Sequence, residues 1–445
     1  MDKKFLKTLA IIAVPITLQN LLQTLVNLVD NVMIGQLGAV QIGAVGLGNQ
    51  VFFVLNLILF GISSGGGVFI AQFWGKKDLK GIHKTVGLML TGAIIVGLVF
   101  ALLSLFLPGW LLSLYTNDLQ VITSGIGYLR ISSVGFLIFA ISFPLEMVLR
   151  SSEEVKIPLY ATILSLITNI VFDYVFIFLF RWGVKGAAFA TVLARLVEGL
   201  YVYGIAYKRK LPQIAKLSEY LSFQRSFVAR FFKIAFPVVI NESLWGLGIT
   251  IENGIYAHVG TDALAAFNIT STVQMLVWVI FIGIGNAASV ILGNVIGSGD
   301  NKKAHEYAFK LVRTMVLLAL ATGWLLIPIS KLLPLLYNVD PYILDQARLM
   351  LMVIVFVYPF RAFNMCMVVG VMRSGGDTVY GGIADIGGLW GCGLVCGTLA
   401  AFVLHLEPWL IFAAFSMEDS LKFIMGVIRL KSGKWLHNVV DNEAS

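Results

Sequence analysis

Apolar residues fall in long blocks, separated by short polar breaks, along the whole of this 445-residue chain. A helix needs about 20 apolar residues to cross the roughly 30 Å of hydrocarbon in a bilayer. Twelve blocks reach that length, near 9–34, 45–72, 86–110, 125–149, 157–180, 186–207, 231–257, 263–293, 308–332, 343–372, 379–403 and 408–429. They are far too long for barrel strands, so the pattern predicts an all-α polytopic membrane protein with twelve transmembrane helices, several of them tilted or kinked. The longest polar break, YKRKLPQIAKLSEYLSFQRSFVARFFK at 207–233, divides them six and six. It predicts an N-terminal lobe over 1–207, a basic linker over 208–230 on the cytoplasmic face, and a C-terminal lobe over 231–445.

Composition agrees with a lipid solvent. Hydrophobic residues make up 58% of the chain and charged residues 13%, with a mean hydropathy of +0.88, whereas a soluble domain carries about 25% charged residues. A soluble enzyme is thereby excluded. The net charge of +8 is explained by topology rather than nucleic acid. Lysine and arginine crowd the segments around 3–7, 76–84, 150–156, 208–233, 302–313 and 429–434, while the alternate breaks hold Arg181, Lys185 and Lys331. By the positive-inside rule both termini are cytoplasmic, in an inner or plasma membrane. The first block is too long for a cleavable signal and reads as the first span. Cys366, Cys392 and Cys396 lie inside apolar blocks, which argues against a disulfide framework.

The halves are related. At an offset of 222 residues, Pro15 falls on Pro237, Asn31 on Asn253, Gly38 on Gly260, Gly61 on Gly283, Gly75 on Gly297, Asp78 on Asp300 and His83 on His305, without a gap from 13 to 83. Chance would not keep Gly, Pro, Asp and His in register, so the chain contains an internal repeat. An even number of spans per unit predicts a repeat axis along the membrane normal.

Acids inside spans are costly and usually face a bundle interior or cavity. The candidates are Asp30, Glu146, Asp173, Glu198, Glu242, Glu252 and Asp385. Glu198 follows Arg195 by three residues, which suits a structural ion pair, and Glu418, Asp419 and Lys422 read as a charged helix face. Asn20, Gln23, Asn27, Asp30 and Asn31 recur at helical steps and form one polar stripe. Asn241, Trp245, Gly248 and Glu252 form a similar stripe on the seventh span, with Glu242 beside it. Asn169 and Asp173 share a helix face, and Thr191 follows on the next span. At about 1.5 Å per residue, Asp173 lies about 12 Å, Thr191 about 9 Å and Asp30 about 8 Å from the nearest outer break. Two carboxylates, an amide and a hydroxyl at similar depth suit Na⁺ or a proton; a hydrogen-bonded structural knot is the other reading. Pro15 and Pro237 interrupt their helices. Motifs for nucleophilic, redox or phosphate chemistry are not found, so no cofactor is expected and transport would run on an ion gradient.

These residues, together with VDNVMIGQLG, AQFWGKKD, the Tyr128-Leu-Arg entry to the fourth span, NIVFDYVFIF followed by GVKGAAFAT, and GVMRSGGDT, resemble the multidrug and toxic compound extrusion family over nearly the whole chain. The resemblance implies two homologous six-helix lobes in a V-shaped bundle and a coupled antiporter exporting amphipathic, cationic small molecules in exchange for H⁺ or Na⁺. It implies a cation site at Asp30, Asn169, Asp173 and Thr191, with Tyr128 in the cavity and Pro15 as a kink. Asn20, Gln23, Asn27, Glu242 and Glu252 would line or couple the cavity, and Trp245, Met275 and Trp278 would provide an adaptable wall. A monomer is expected. In the second half the sequence PFRAFNM at 359–365 departs from one branch of the family, which places an acid there for Na⁺; Arg361 is expected to neutralise Glu242 or Glu252 instead. A flippase for lipid-linked saccharides, built on the same superfamily architecture, is the alternative function.

Overall fold

The computed structural model describes residues 3–211, 214–222 and 224–441. Met1, Asp2, Pro212, Gln213, Phe223 and 442–445, which belong to the expected lobes and linker, lie outside the described residues. Sixteen α-helical segments follow one another: α1 (Lys3–Gly35), α2 (Ala39–Lys76), α3 (Leu79–Phe106), α4 (Pro108–Ser113), α5 (Leu119–Ser151), α6 (Lys156–Asp173), α7 (Gly183–Lys208), α8 (Leu217–Tyr220), α9 (Arg225–Val259), α10 (Thr261–Gly297), α11 (Asn301–Leu336), α12 (Pro341–Met365), α13 (Thr378–Gly388), α14 (Leu394–Phe402), α15 (Pro408–Phe415) and α16 (Met417–Ser432). Wider π-helical turns extend α6 over Tyr174–Leu179, α12 over Cys366–Met372, and join α13 to α14 over Leu389–Gly393.

Among the described residues eleven helices are long and apolar enough to cross a membrane. The twelfth apolar block differs: it is broken at Ser416 into α15 and α16. The reason is visible in the sequence, where Glu418, Asp419 and Lys422 sit directly after the break. The charged helix face read from their spacing is present, Lys422 pairing with Glu418 at 3.2 Å, and it is turned inward. Asp419 and Lys422 are buried and bonded to other helices, as detailed below.

The repeat is visible in local structure. Asp78 and Asp300 cap α3 and α11, accepting hydrogen bonds from the amides of Gly81 (3.1 Å) and Lys303 (3.0 Å), each satisfying a backbone donor that the first helical turn leaves free. Gly38 and Gly260, between the first and second helix of each repeat, have φ of +117° and +151°, a region that favours glycine.

Packing divides the chain into two compact units, one made of Met1–Thr17 with Ile240–Ser445, the other of Leu18–Val239. Both changeovers fall two residues after a proline, Pro15 and Pro237, and Thr17 and Val239 occupy the same place in the repeat. Two glycines make this possible. In one unit the missing Cβ of Gly61 would lie 2.6 Å from the Val239 Cα; in the other, that of Gly283 would lie 1.9 Å from Thr17 Oγ1 and 3.0 Å from its Cα. The first part of α9 thus packs on α2, and the first part of α1 on α10, each at a glycine. Aromatic contacts continue these interfaces: Phe69 meets Phe227 and Phe231 in one unit, and Phe5 meets Tyr307 in the other.

Adding a methyl group at these contacts forces overpacking, which typically costs about 1–3 kcal/mol. Gly61→Ala and Gly283→Ala should each lower the thermal unfolding midpoint of the detergent-purified protein. Gly254→Ala, whose added Cβ meets nothing within 4 Å, should leave it unchanged or raise it.

Candidate cation-binding site

Two helices of the Leu18–Val239 unit bring Asp30, Asn169 and Asp173 together. Asp30 lies near the end of α1, Asn169 and Asp173 in the last turns of α6, and Asp173 directly precedes the π-helical turn. Such turns are frequent at functional sites. The Asp30 carboxyl lies beside Asp173 and Asn169. Asn169 and Asp173 are buried. Yet Asn169 Nδ2 and Oδ1, both Asp173 oxygens and Asp30 Oδ1 are buried with no hydrogen-bond partner. Two carboxylates offer only acceptors to each other, so their approach is unfavourable until a proton or a cation stands between them.

An apolar floor surrounds these groups. Ile34, one turn beyond Asp30, and Ile177, one turn beyond Asp173, pack with Val45, Tyr128, Val184, Ala187 and Ala188. Tyr128 is buried over Gly48, whose missing Cβ leaves room for the ring, and its hydroxyl donates to Asn49 Oδ1 at 3.1 Å. Thr191 lies one turn beyond Ala187; its hydroxyl donates to the Ala187 carbonyl at 3.0 Å, which leaves the oxygen lone pairs able to accept a hydrogen bond or ligate an ion. Of the remaining stripe on α1, Asn20 and Gln23 are half-buried and Asn27 is exposed. Pro15 is half-buried within α1 and leaves the Ile11 carbonyl without its helical donor.

The second-half candidates behave differently. Glu242 is paired with Arg373, Nη2 to Oε1 at 2.8 Å. Of the two acids expected to be neutralised by Arg361, Glu242 is not its partner, while Glu252 has Arg361 as a charged neighbour. The Arg361 guanidinium bonds Asp419 Oδ2 at 3.0 Å, because the break before α16 turns Asp419 inward, where Asn364 Nδ2 also donates to it. Asp385 receives Lys422 Nζ at 2.8 Å and Asn241 Nδ2 at 3.1 Å. Glu252 is half-buried. Trp245 and Met275 are exposed on their helices, and Trp278 packs against Phe281 and Tyr358.

Sequence reasoning missed a residue that joins three others. Gln19, fully buried, links Glu146, Arg150 and Thr162. It lies off the polar stripe of α1. The signal that could have found it is the repeat, which puts Asn241 at the same place, four residues after the equivalent proline. The Arg195–Glu198 pair read from spacing is present at 3.0 Å, with the Arg195 guanidinium over the Phe139 ring at 4.8 Å.

Comparison with known proteins agrees with this architecture. The MatE family model matches residues 15–175 and 237–399, one segment in each repeat; a model of the lipid II flippase MurJ matches residues 120–257. The chain is 26% identical to a probable multidrug resistance protein NorM of Thermotoga maritima, covering 96% of this chain and 93% of that one. It is 26% identical to the probable multidrug resistance protein YoeA of Bacillus subtilis, covering 94% and 92%, and 24% identical to human multidrug and toxin extrusion protein 1, covering 90% and 70%. Among solved structures, a MATE protein in complex with MaD3S superposes with a TM-score of 0.86 at 21% identity, covering 96% of each chain. An outward-facing MATE family transporter of the MOP superfamily superposes at 0.85 and 20% identity, with the same coverage.

The Glu242–Arg373 pair can be tested alone. Removing one member of a buried pair typically costs about 3–5 kcal/mol, because its partner stays charged and unpaired. Arg373→Met should therefore lower the unfolding midpoint strongly, and Glu242→Gln/Arg373→Met should recover most of the loss. Equal midpoints for the single and double variants would show that the pair contributes nothing.

Proposed function

The chain belongs to the MatE family, a family of membrane transporters and not of enzymes, and on that premise we propose that it is a cation-coupled antiporter that exports amphipathic organic cations. It acts by alternating access, as a monomer in the inner or plasma membrane with both termini inside. The coupling ion is H⁺ or Na⁺, taken up at Asp30, Asn169, Asp173 and Thr191. The observation that carries this reading is the set of buried, partnerless oxygens on Asp30, Asn169 and Asp173. A hydrogen-bonded structural knot would satisfy those atoms internally; a site that waits for a proton or a small cation would not.

Coupling requires that ion and substrate favour different states. With the site empty, the two carboxylates repel; with a proton or Na⁺ between them, the end of α1 is drawn to α6. The difference between those arrangements is what an inward ion gradient can drive, and α1 is the element that carries it. The half-buried acid Glu252, with Trp245 and Met275, supplies a negative and polarizable surface suited to organic cations. A flippase for lipid-linked saccharides is the weaker reading: the MurJ model meets only residues 120–257, and the candidate lining is acidic, where a pyrophosphate group calls for cations.

Reconstituted vesicles with imposed pH and Na⁺ gradients, and a fluorescent organic cation as the transported probe, test the proposal. Uptake should saturate and follow one of the two gradients. Asp30→Asn and Asp173→Asn should each abolish gradient-driven transport while the protein still purifies as a folded monomer; full transport by either variant would overturn the site. Single cysteines at Asn117 and Thr261 should react with an impermeant reagent from outside the cell, and one at Lys216 should not.

A further inference from the structure

We propose that Gln19 is a positioning residue for the cation site: its contact with Thr162 sets the register of α1 against α6 that brings Asp30 to Asp173. This rests on the cation-coupled reading of that site.

The argument is one of equal spacing. Gln19 Nε2 donates to Thr162 Oγ1 at 3.0 Å, joining α1 to α6. Asp30 lies eleven residues beyond Gln19, and Asp173 eleven residues beyond Thr162. Both intervals are wholly α-helical, so each spans three turns and about 16 Å. Two helices that meet at one pair of side chains and run in the same direction meet again, on the same faces, three turns later. The second meeting is the Asp30–Asp173 approach. Sliding α1 by one residue would turn its contacting face by about 100° and separate the carboxylates.

The first contact is built to hold that register. Gln19 is fully buried and its amide is used in three directions. Besides Thr162, Nε2 donates to Glu146 Oε2 at 2.9 Å, and Oε1 accepts from Arg150 Nε at 3.1 Å. The Thr162 hydroxyl donates to Glu198 Oε1 at 3.2 Å, and Glu198 Oε2 accepts from Arg195 Nη1 at 3.0 Å. One glutamine therefore ties α1 to α5 directly and to α6 and α7 through Thr162. It is also the second residue of α1 inside the Leu18–Val239 unit, so it fixes the segment that carries Asp30 where that segment begins.

The repeat provides an internal control. Asn241 occupies the place of Gln19 and is the second residue of α9 inside its own unit. It donates to Asp385 Oδ2 at 3.1 Å, and Lys422 Nζ bonds Asp385 Oδ1 at 2.8 Å. Aligning the arginines of LRSS and MRSG puts Thr162 on Asp385. Eleven residues beyond Asn241 and Asp385 stand Glu252 and Cys396. The same anchoring contact thus exists in both units, but in the second the π-helical turn Leu389–Gly393 interrupts the interval that follows it, and no carboxylate stands eleven residues beyond Asp385. The contact serves the ion site in one unit and packing alone in the other.

The test uses full-length protein in vesicles, with the probe cation transported at varied concentration of the driving ion. A less preformed ion site binds in proportion to the fraction of molecules in the competent arrangement. Gln19→Leu and Thr162→Val should each raise the driving-ion concentration for half-maximal transport by about tenfold, with the KM for the probe within about twofold. Asn241→Leu should move that ion concentration less than about twofold. Wild-type half-saturation in both Gln19→Leu and Thr162→Val, or an equal shift in Asn241→Leu, would overturn the proposal. Should Gln19→Leu fail to purify as a folded protein, Thr162→Val, which keeps the Glu146 and Arg150 contacts of Gln19, decides the matter. A second readout does not depend on coupling. Spin labels at Asn31 and Tyr174, the exposed neighbours of the two acids, should give a single narrow distance that broadens or shifts in Thr162→Val. An unchanged distance refutes the register role. Wild-type transport indifferent to both ion gradients refutes the coupled reading, and the distance still judges the register.

Discussion

A charge in a low-dielectric helix bundle must be paired, neutralised or hydrated, and that constraint organises both units of this protein. Most buried ionic groups satisfy it internally: Glu242 with Arg373, Asp385 with Lys422, Asp419 with Arg361, Glu198 with Arg195. These pairs hold helices together, although a buried pair is weak evidence for net stability. Asp30 and Asp173 stand apart, because they face each other and Asn169 with oxygens unpartnered. In a molecule that pairs its other buried acids, this exception is what the proposed cation site rests on.

The repeat explains how the exception arose without rebuilding the fold. Both units use the same first-helix proline, the same glycine contact two residues beyond it, and the same amide anchor two residues beyond that. What differs is the chemistry placed on this common frame. In one unit the anchor is Gln19 among Glu146, Arg150 and Thr162; in the other it is Asn241 between Asp385 and the Lys422 ammonium. Eleven residues on, the place of the first unit's second carboxylate, Asp173, is taken in the other by Cys396, beyond a π-helical turn. Frame and function can diverge separately because the anchor is local and the ion site lies about 16 Å along the helix from it.

Much of this was legible in the chain. Long apolar blocks can be satisfied only as helices in lipid, and the repeat was carried by Gly, Pro, Asp and His, whose backbone roles leave little freedom of substitution. Asp30, Asn169 and Asp173 were readable because a carboxylate or amide at a fixed depth in an apolar block has few explanations. The pairing partners were not. Arg361 and Arg373 are twelve residues apart, and only the packing of α16 shows that Asp419 takes the first and leaves the second to Glu242. Nor could spacing show that α1 and α9 change units at Thr17 and Val239, since a helix that switches neighbours keeps one unbroken apolar pattern.

The changeover clarifies what α1 can do. Its first part is seated on α10 through Thr17 and Gly283, and its next turn is fastened by Gln19. Pro15 removes one backbone hydrogen bond just before this junction. Phe5 on Tyr307 holds the helix before that weakened turn and Thr17 and Gln19 hold it after, and bending there sacrifices no further backbone hydrogen bond. Charge neutralisation at Asp30 acts on the far end of the same segment, three turns from the grip, where a small rotation gives the largest displacement. The proposed ion binding at one end and a fixed amide at the other are thus the two constraints between which the α1 segment would work.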